Sequence, residues 1–471
     1  MAYAKSAEEI KELESKSYEY WLKKNWYYHS FIDHFYQFTI PQNVKVLQVG
    51  CKTASKLAAV QPALGVGIDD DTHNIELARH KYPQYQFHVG TLKDLHISEQ
   101  FDYIILSSTT MEVYDIQDLF ESLKPYCHNR TRIVIDFYSA LWNPTLWLLQ
   151  KLGLRRPTQL KNWVSMYDMR NFLALAGFDV VTHGRQMVFP LYIPGFSWVV
   201  NAIFQTIPLI DRLCLNQWII ARPIYTQLKA NEVTVSVVVP VKNERGNVEA
   251  AITRTPLMGK HTEFIFVEGH SKDGTLDEIK RVQAAYPEKD IKCLVQDGKG
   301  KGDGMRKGFA HAKGDVLIIL DGDLTTPPEE MPRFFNALIS AQGECINGSR
   351  LIYGMEDEAM RFLNLIANFM FGVGFSWVLG QRLKDTLCGT KVLLKSDYEK
   401  IVANRAFFGE FDPFGDFDLL FGAAKQNLKI IDLPVHYKAR TYGVTQIRRF
   451  HAAMYLLRMS FVGFCKFKLR W

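Results

Sequence analysis

The chain has 471 residues, which exceeds the size at which one hydrophobic core keeps growing, so we expect two or three domains. Apolar residues make up 47% of the sequence and charged residues 23%, an ordinary globular composition that argues against a long disordered tract. The formal net charge of +6 is mild for a chain of this length, and we expect no nucleic-acid partner.

Residues 1–40 are predicted to be a helical lead-in to the first domain. The opening "MAYAKSAEEIKELESKSYEYW" is charged and lacks the apolar core of a secretory signal. The seven cysteines are scattered without a CxxC pair, which argues against a structural zinc site and against a disulfide framework. We therefore expect a cytoplasmic protein.

Residues 41–182 alternate short apolar runs with amphipathic stretches. The runs "VKVLQVG", "LGVGID", "YQFHVG", "FDYIILSS" and "TRIVIDF" are predicted to be strands, and the stretches between them are predicted to be crossover helices. This βαβ rhythm is typical of a doubly wound sheet.

Residues 183–231 are predicted to be an apolar linker. The stretch from Met187 to Ile210 carries no charge, but prolines at 190, 194 and 208 divide it into pieces too short to cross about 30 Å of hydrocarbon as one helix. We expect this segment to lie in a membrane interface or to pack between the domains. A membrane span is the alternative.

A second α/β rhythm occupies residues 232–435. Its predicted strands end in turns rich in Gly and Asp, where open α/β sheets bind ligands. The uncharged stretch Phe362–Gln381 is predicted to form amphipathic helices at a membrane surface, with a buried core helix as the alternative.

Residues 436–471 are predicted to be a basic amphipathic tail. From Val435 to Trp471 the sequence has eight Lys or Arg residues and no acidic one. Such a run attracts phosphate groups or anionic lipid, and a solvated helix face is the alternative.

The strongest motif is "LIILDGDLTTPP", a buried strand followed by Asp321 and Asp323. Residues i and i+2 of a strand share a face, so both carboxylates can reach one hard cation and leave positions for phosphate oxygens and water. We therefore predict that Asp321 and Asp323 bind a divalent metal ion, Mg²⁺ or Mn²⁺.

Five motifs between Val233 and Arg449 carry a family resemblance. In chain order they are "VVVPVKNE", "FVEGHSKDGT", "GKGKGDGMRKGF", "DGDLTTPPEE" and "DTLCGTKV". Together they resemble family 2 glycosyltransferases of the GT-A fold, in particular enzymes similar to dolichyl-phosphate mannose synthase and other polyprenyl-phosphate glycosyltransferases. The resemblance implies metal-dependent transfer of a hexose from a nucleotide sugar to a polyprenyl phosphate, by an enzyme peripheral on the cytoplasmic face of a membrane.

The resemblance also implies a donor site. Lysines and an arginine on the glycine-rich loop add positive charge near the diphosphate. Two departures from the family pattern concern this region. Glu268 and Gly269 replace two aspartates, which affects the choice of nucleotide. Thr325 and Thr326 replace Gln and His, which affects the identity of the third metal ligand. The residues implied for the nucleotide sugar are Pro240, Asn243, Glu244, Glu268, Lys299, Lys301 and Arg306.

The acceptor side follows from the same resemblance. Asp416 and Asp418 are the implied catalytic carboxylates, and Asp418 faces the acceptor as a general base or as an orienting group. "YKARTYGVTQIRRF" is similar to the stretch that binds lipid phosphate in the relatives. The residues implied for the acceptor phosphate are Arg350, Arg440, Thr445 and Arg448.

The first α/β region has a resemblance of its own. "VLQVGCKTA", "GVGIDDDTHNIELARHKYP", "FHVGTLKDL" and "FDYIIL" are similar to class I methyltransferases that use S-adenosylmethionine, which implies that Gly50 and Asp69 contact that cofactor. Several other cofactor-contacting positions depart from the pattern, so we predict a degenerate site. These departures are Gln48, Lys52, Ala54 and Thr91.

The predicted fold class is therefore α/β with two Rossmann-like domains, an N-terminal sheet like that of class I methyltransferases and a C-terminal GT-A domain, with apolar interfacial segments. The leading hypothesis is a glycosyltransferase acting on a polyprenyl phosphate at a membrane surface. One alternative is a bifunctional enzyme that also methylates a glycan, and another is a non-catalytic scaffold of a glycan-assembly complex.

Overall fold

The computed structural model describes residues 18–156, 162–224, 228–353, 362–409, 414–443 and 449–470. The chain folds as two compact units, the first comprising Met1–Tyr225 with Lys468–Arg470 and the second comprising Thr226–Phe467 with Trp471. In the described residues each unit is built on one sheet of seven strands. The two sheets confirm the predicted α/β fold class.

The first sheet has the strand order β3-β2-β1-β4-β5-β7-β6. Strands β1 to β5 are parallel and correspond to the five predicted apolar runs, whereas β7 is antiparallel to β5 and to β6. The parallel strands are apolar because helices cover both faces. The strands are β1 Lys45–Val49, β2 Leu64–Asp69, β3 Gln86–Val89, β4 Phe101–Ser107, β5 Cys127–Tyr138, β6 Phe178–Gln186 and β7 Asn216–Pro223.

Polar side chains cap several helices of the first unit at their first turn. Asp71 accepts the N–H of His73 at 2.9 Å, and Ser165 forms a capping box with Asp168. Two apolar layers, one on each face, complete the core. The helices are α1 Trp26–Thr39, α2 Ser55–Ala59, α3 Thr72–Lys81, α4 Thr109–Glu112, α5 Ile116–Ser122, α6 Asn143–Lys151, α7 Met166–Leu175 and α8 Phe196–Thr206.

The predicted linker, 183–231, differs from the structure. Strand β7 lies inside it and pairs with a strand on each side, so this part of the chain completes the first sheet. The prediction missed it because "NQWIIARP" mixes polar and apolar residues, and its position in the sheet is set by neighbours far away in the sequence.

The apolar segment before β7 contains helix α8. The side chains of Phe196, Trp198 and Ile203 on this helix are exposed. In the part of the chain that the structure describes, no helix combines the length and the apolarity needed to cross a bilayer. That the apolar segment containing α8 lies in a membrane interface stays a prediction.

The second sheet has the strand order β10-β9-β8-β11-β13-β12-β14. Strands β8 to β11 form a parallel set, and β13 is antiparallel to both of its neighbours. The carboxyl ends of β8, β9 and β11 therefore share one edge of the sheet. The strands are β8 Thr234–Val241, β9 His261–Glu268, β10 Asp290–Val295, β11 Val316–Ile319, β12 Cys345–Ser349, β13 Lys391–Leu394 and β14 Ile430–Pro434.

Helices cover both faces of the second sheet and form two apolar layers with it. The predicted basic tail takes part in this packing, because Leu456 and Met459 are buried in one layer and Phe464 and Phe467 pack against it. The helices are α9 Val248–Arg254, α10 Thr275–Ala285, α11 Lys301–His311, α12 Met331–Ile339, α13 Phe362–Leu379, α14 Lys395–Ala403, α15 Asp416–Lys425 and α16 Arg449–Gly463.

Candidate functional site

The turn after β11 places the two predicted metal ligands at the carboxyl edge of the second sheet. Gly322, between them, packs so tightly on β8 that a Cβ there would lie 2.8 Å from the carbonyl oxygen of Pro240. Only glycine allows this approach without displacing the backbone. Pro240 therefore contributes to the site through its backbone, and the turn holds Asp321 and Asp323 beside β8.

Asp321 forms an ion pair with Lys301, the first residue of α11. Lys301 Nζ lies 2.5 Å from Asp321 Oδ1. Burial alone would lower the pKa of Lys301, but the charge of Asp321 outweighs it and raises that pKa. Burial likewise opposes the charged form of Asp321, yet the Lys301 ammonium holds the pKa of Asp321 below its ordinary value. Both groups are therefore charged at neutral pH.

Asp323 is paired with Arg440 from the opposite end of the second unit's sequence. Arg440 Nη2 lies 2.5 Å from Asp323 Oδ2, and Arg440 Nη1 donates to Glu244 Oε1 at 2.9 Å. The hydroxyl of Thr325 donates to Asp323 Oδ1 at 2.9 Å. Arg440 was predicted to bind the acceptor phosphate, and the structure places it against Glu244 and Asp323, which were predicted to bind the nucleotide sugar and the metal ion.

Glu244 is buried in the loop that follows β8. Asn247 Nδ2 donates to its Oε2 at 2.7 Å. Burial raises the pKa of Glu244 to about 7, although Arg440 and Asn247 act in the opposite direction. This carboxyl thus changes its charge near neutral pH.

The other predicted nucleotide residues frame the same edge. Asn243 has a positive φ of 55°, and its Oδ1 accepts the N–H of Lys272 at 2.8 Å. Glu268 is buried at the end of β9 and accepts the N–H of Ser271 at 2.5 Å. Lys299 is exposed on the glycine-rich loop that precedes α11. Asn243 and Glu268 therefore shape the loops after β8 and β9.

The predicted catalytic carboxylates begin α15 and are also paired. Lys391 Nζ, fully buried on β13, lies 2.8 Å from Asp416 Oδ1. Asp418 Oδ2 lies 3.2 Å from Arg306 Nη1 and 3.3 Å from Arg405 Nε. Arg306 therefore contacts a catalytic candidate as well as belonging to the predicted diphosphate group.

Arg350, predicted to bind the acceptor phosphate, is held by Asp385. Its Nε and Nη2 donate to the two carboxylate oxygens at 2.7 and 2.8 Å, a bidentate geometry. Its guanidinium carbon also lies 5.2 Å from the ring centre of Tyr437. The remaining two acceptor candidates, Thr445 and Arg448, lie outside the described residues.

The predicted metal ligands fit a hard divalent cation by their chemistry. Asp321 and Asp323 supply carboxylate oxygens on one turn, and a diphosphate and water can complete the coordination of such an ion. Within the described ranges, no group of three or more His, Cys, Asp or Glu side chains is arranged around a common point. The two predicted ligands are therefore two carboxylates, each paired with a cation of the same unit.

Sequence reasoning missed two residues of this site, both in the motif "DTLCGTKV". A Cβ on Gly389 would lie 2.0 Å from Lys301 Nζ and 2.2 Å from Asp321 Oδ2, so the absence of a side chain makes room for that ion pair. Lys391 is the buried partner of Asp416. The sequence did carry a signal for Lys391, because this lysine begins the apolar run "KVLL". A buried lysine is almost always paired with an acidic group.

The first unit contains the two residues predicted to contact S-adenosylmethionine. Gly50 directly follows β1 and has a positive φ of 65°. Asp69 ends β2, where its carboxylate accepts three hydrogen bonds from its own chain: from the N–H of Lys52 at 2.8 Å, from the N–H of Asp71 at 3.1 Å and from Asn74 Nδ2 at 3.1 Å. Asp69 therefore holds the two adjoining turns together.

The substituted positions of the first unit also have partners. Lys52 Nζ lies 2.7 Å from Glu112 Oε1, and Gln48 Oε1 accepts the N–H of Leu57 at 2.9 Å. The hydroxyl of Thr91 donates to Asp94 at 2.7 Å. These contacts stabilise the fold of the first unit.

The family comparison concerns the second unit. Residues 236–401 match the profile of Glycosyl transferase family 2. A dolichol-phosphate mannosyltransferase of Pyrococcus furiosus is 29% identical over 219 residues, covering 45% of this chain and 59% of that protein. An undecaprenyl-phosphate 4-deoxy-4-formamido-L-arabinose transferase of Shewanella sediminis is 33% identical over 102 residues, covering 21% of this chain and 31% of that protein. The chain thus spans less than two thirds of the length of either relative.

A solved structure of an S-adenosylmethionine-dependent methyltransferase from Thermotoga maritima also resembles part of the chain. It is 12% identical, covers 45% of this chain and 97% of its own, and gives a TM-score of 0.36. The resemblance predicted for the second unit is confirmed by the family match.

Proposed function

Residues 236–401 form a Glycosyl transferase family 2 domain, and we propose that the protein transfers a hexose from a nucleotide sugar to a polyprenyl phosphate. The observation that carries this proposal is the pair of carboxylates after β11, Asp321 and Asp323, each facing a cation that could also meet a phosphate. The names of the two relatives, both of which act on polyprenyl phosphates, support the acceptor.

In the proposed reaction an oxygen of the acceptor phosphate bonds to the anomeric carbon of the sugar. The bond from that carbon to the diphosphate breaks, and the nucleoside diphosphate leaves with the electron pair. A divalent cation bound by Asp321 and Asp323 would neutralise the charge of the leaving group as a Lewis acid. Lys301, beside Asp321, adds a fixed positive charge at the same place.

Asp418 is proposed to contact the acceptor. Its carboxylate is held by two arginines, so its orientation is fixed before the acceptor binds. A phosphate acceptor is already ionised at neutral pH and needs little deprotonation. We therefore propose that Asp418 orients the acceptor more than it removes a proton.

A lipid acceptor is further supported by apolar side chains at the surface of the second unit. On α13, Phe369, Met370 and Val373 are exposed, and on α16, Leu457 and Phe461 are exposed. Exposed apolar side chains on two helices are typical of a surface that contacts lipid. We propose that the enzyme works at a membrane surface.

The decisive experiment measures the mass of the lipid product. The full chain is incubated with Mg²⁺ or Mn²⁺, a mixture of UDP and GDP sugars, and undecaprenyl or dolichyl phosphate. We expect one hexosylated lipid phosphate, whose mass identifies the sugar class and the acceptor. If no polyprenyl phosphate is glycosylated while a soluble acceptor is, the lipid part of the proposal is wrong.

Two variants test the assigned residues. Asp323→Ala should lower the rate by about 100-fold or more, because several kcal/mol of charge stabilisation depend on the metal. Asp277→Asn, an exposed carboxylate on α10, is the matched control and should leave the rate nearly unchanged. General bases typically contribute roughly 10²- to 10⁴-fold to the rate. A loss of rate near the upper end of this range in Asp418→Asn would contradict an orienting role for Asp418.

The bifunctional alternative is tested in the same reaction. S-adenosylmethionine with a labelled methyl group is added, and the lipid product is examined for the label. We expect none, because the carboxylate of Asp69 is already bonded to its own chain. Label in the product would establish the bifunctional alternative.

A further inference from the structure

A cavity of about 120 Å³ lies at the carboxyl edge of the first sheet. The turn after β1, with Gly50 and Lys52, forms one wall, and Tyr18, Trp21 and Tyr28 from the preceding helical segment form another. The volume exceeds the roughly 10–15 Å³ that one water needs but is below the roughly 300 Å³ of the smallest typical organic-ligand sites. Its size therefore suits a small ion better than a nucleoside.

The lining of this cavity is strongly basic. Lys52, Lys56, Arg155 and Arg156 face it, against one acidic side chain, Glu112. Glu112 pairs with Lys52 at 2.7 Å, and Lys56 pairs at 2.7 Å with Asp33, which lies outside the lining. The two arginines therefore carry the positive charge that is left over in the cavity.

The arginines are held through aromatic rings. The guanidinium carbon of Arg155 lies 5.3 Å from the ring centre of Tyr138, and that of Arg156 lies 5.0 Å from the ring centre of Tyr18. Among the residues that the structure describes, neither arginine forms an ion pair with a carboxylate. A guanidinium over an aromatic ring keeps N–H donors, and these donors match the geometry of a phosphate.

An unsatisfied polar atom lies in the same cavity. The Nδ1 atom of His29 is buried without a hydrogen-bond partner. Burial, together with the charges of Lys56 and Lys52, lowers the pKa of His29 to about 3, so the imidazole is neutral. A buried polar atom of this kind is normally satisfied by a ligand or by water.

We propose that this cavity binds a small phosphate-type oxyanion, held by Arg155 and Arg156 with Lys52 and His29 beside it. The same positive charge disfavours the sulfonium of S-adenosylmethionine, which carries a positive charge itself. The proposal concerns a site in the first unit and does not depend on the transferase activity of the second.

The test is calorimetry of the full chain with sodium phosphate and sodium diphosphate, in EDTA and at constant ionic strength. Arg155→Gln/Arg156→Gln should weaken binding about tenfold or more, as expected when charge-assisted hydrogen bonds are lost. The matched control is Lys45→Gln/Lys124→Gln, which removes the same charge from exposed positions of the same unit and should stay within about twofold.

Two further variants make the result specific. Arg155→Lys/Arg156→Lys keeps the charge, and we expect it to recover part of the affinity, with circular dichroism confirming that all variants fold. Arg306→Gln/Arg440→Gln removes cations of the proposed site in the second unit, so the phosphate binding that this variant keeps belongs to the first unit, and we expect it to persist. If that variant abolishes binding, or if the wild-type chain binds neither anion at about 10 mM, a range in which even weak sites saturate, the proposal is wrong.

The source of the oxyanion is distinguished by a separate titration. Vesicles of phosphatidylcholine with phosphatidic acid offer the phosphate as a lipid head group, whereas sodium phosphate offers it free. We expect free phosphate to bind.

A competition experiment adds S-adenosylmethionine to the chain with bound phosphate, and we expect the phosphate to be retained. Displacement of phosphate by S-adenosylmethionine would overturn the proposal, because the cavity would then accept that cofactor.

Discussion

Arg440 Nη2 lies 2.5 Å from Asp323 Oδ2, on the carboxylate that we expect to bind the metal ion. The same guanidinium donates to Glu244, so one arginine connects the loop after β8 with the turn after β11. A divalent cation must compete with this guanidinium for Asp323. The first prediction follows from this competition.

Arg440→Gln should bind Mn²⁺ more tightly than the wild-type chain when no nucleotide is present. Removing the competing positive charge should increase the affinity by about threefold to tenfold, as Coulomb interactions of this size allow. Calorimetric titration with MnCl₂ measures the effect. Arg254→Gln, which removes an arginine paired with Glu329 in the same unit, is the control and should not change it. Unchanged affinity in Arg440→Gln would contradict the competition.

Gly389→Ala should disrupt the metal site without unfolding the protein. The added methyl group would lie 2.0 Å from Lys301 Nζ and 2.2 Å from Asp321 Oδ2, so the ion pair must separate. We expect Mn²⁺ affinity to fall by about tenfold or more, since the misplaced carboxylate is one of the two proposed metal ligands. Gly374→Ala is a matched control, because a methyl group there meets no atom within 4 Å. Equal affinities in the two variants would exclude this role for Gly389.

Lys391→Met should lower the stability of the second unit. Its partner Asp416 would become a buried unpaired charge, and breaking such a pair costs about 3–5 kcal/mol. The midpoint of urea unfolding, measured by far-ultraviolet circular dichroism, reports the loss. Lys391→Met/Asp416→Asn should recover part of it. Lys229→Met, which breaks an exposed pair with Glu232, should cost no more than about 1 kcal/mol.

Glu244 predicts a pH dependence of stability. Burial raises the pKa of Glu244 to about 7 from an ordinary value of 4.5, so between these pH values the folded protein binds more protons at this site than the unfolded chain does. The free energy of unfolding should therefore fall as the pH rises from about 4.5 to 7. Glu244→Gln should show a flatter profile over this window, measured by urea unfolding at several pH values. The control variant Glu232→Gln, at an exposed position, should keep the wild-type slope. An unchanged slope in Glu244→Gln would contradict the raised pKa of Glu244.

The strands of both sheets were largely predictable from the sequence. Runs such as "LGVGID" and "FDYIILSS" became β2 and β4 because parallel strands covered on both faces consist of consecutive apolar residues. Strand β7 was not predictable in this way. It runs antiparallel and mixes polar with apolar residues, and its neighbours β5 and β6 in the sheet decide its position.

The sequence by itself determined that Asp321 and Asp323 share one turn after a buried strand, because the spacing of two residues along a strand is a local property. Only the tertiary structure decided which distant residues pair with the carboxylates of the candidate site. Arg440 is 117 positions from Asp323 in the sequence, and Lys391 is 25 positions from Asp416. Such pairs form when folding removes charged groups from water, and a buried charge is stable only beside an opposite one. No local sequence pattern indicates which distant cation will pair with a given carboxylate. The pairing of charges at this site is therefore decided by the tertiary fold.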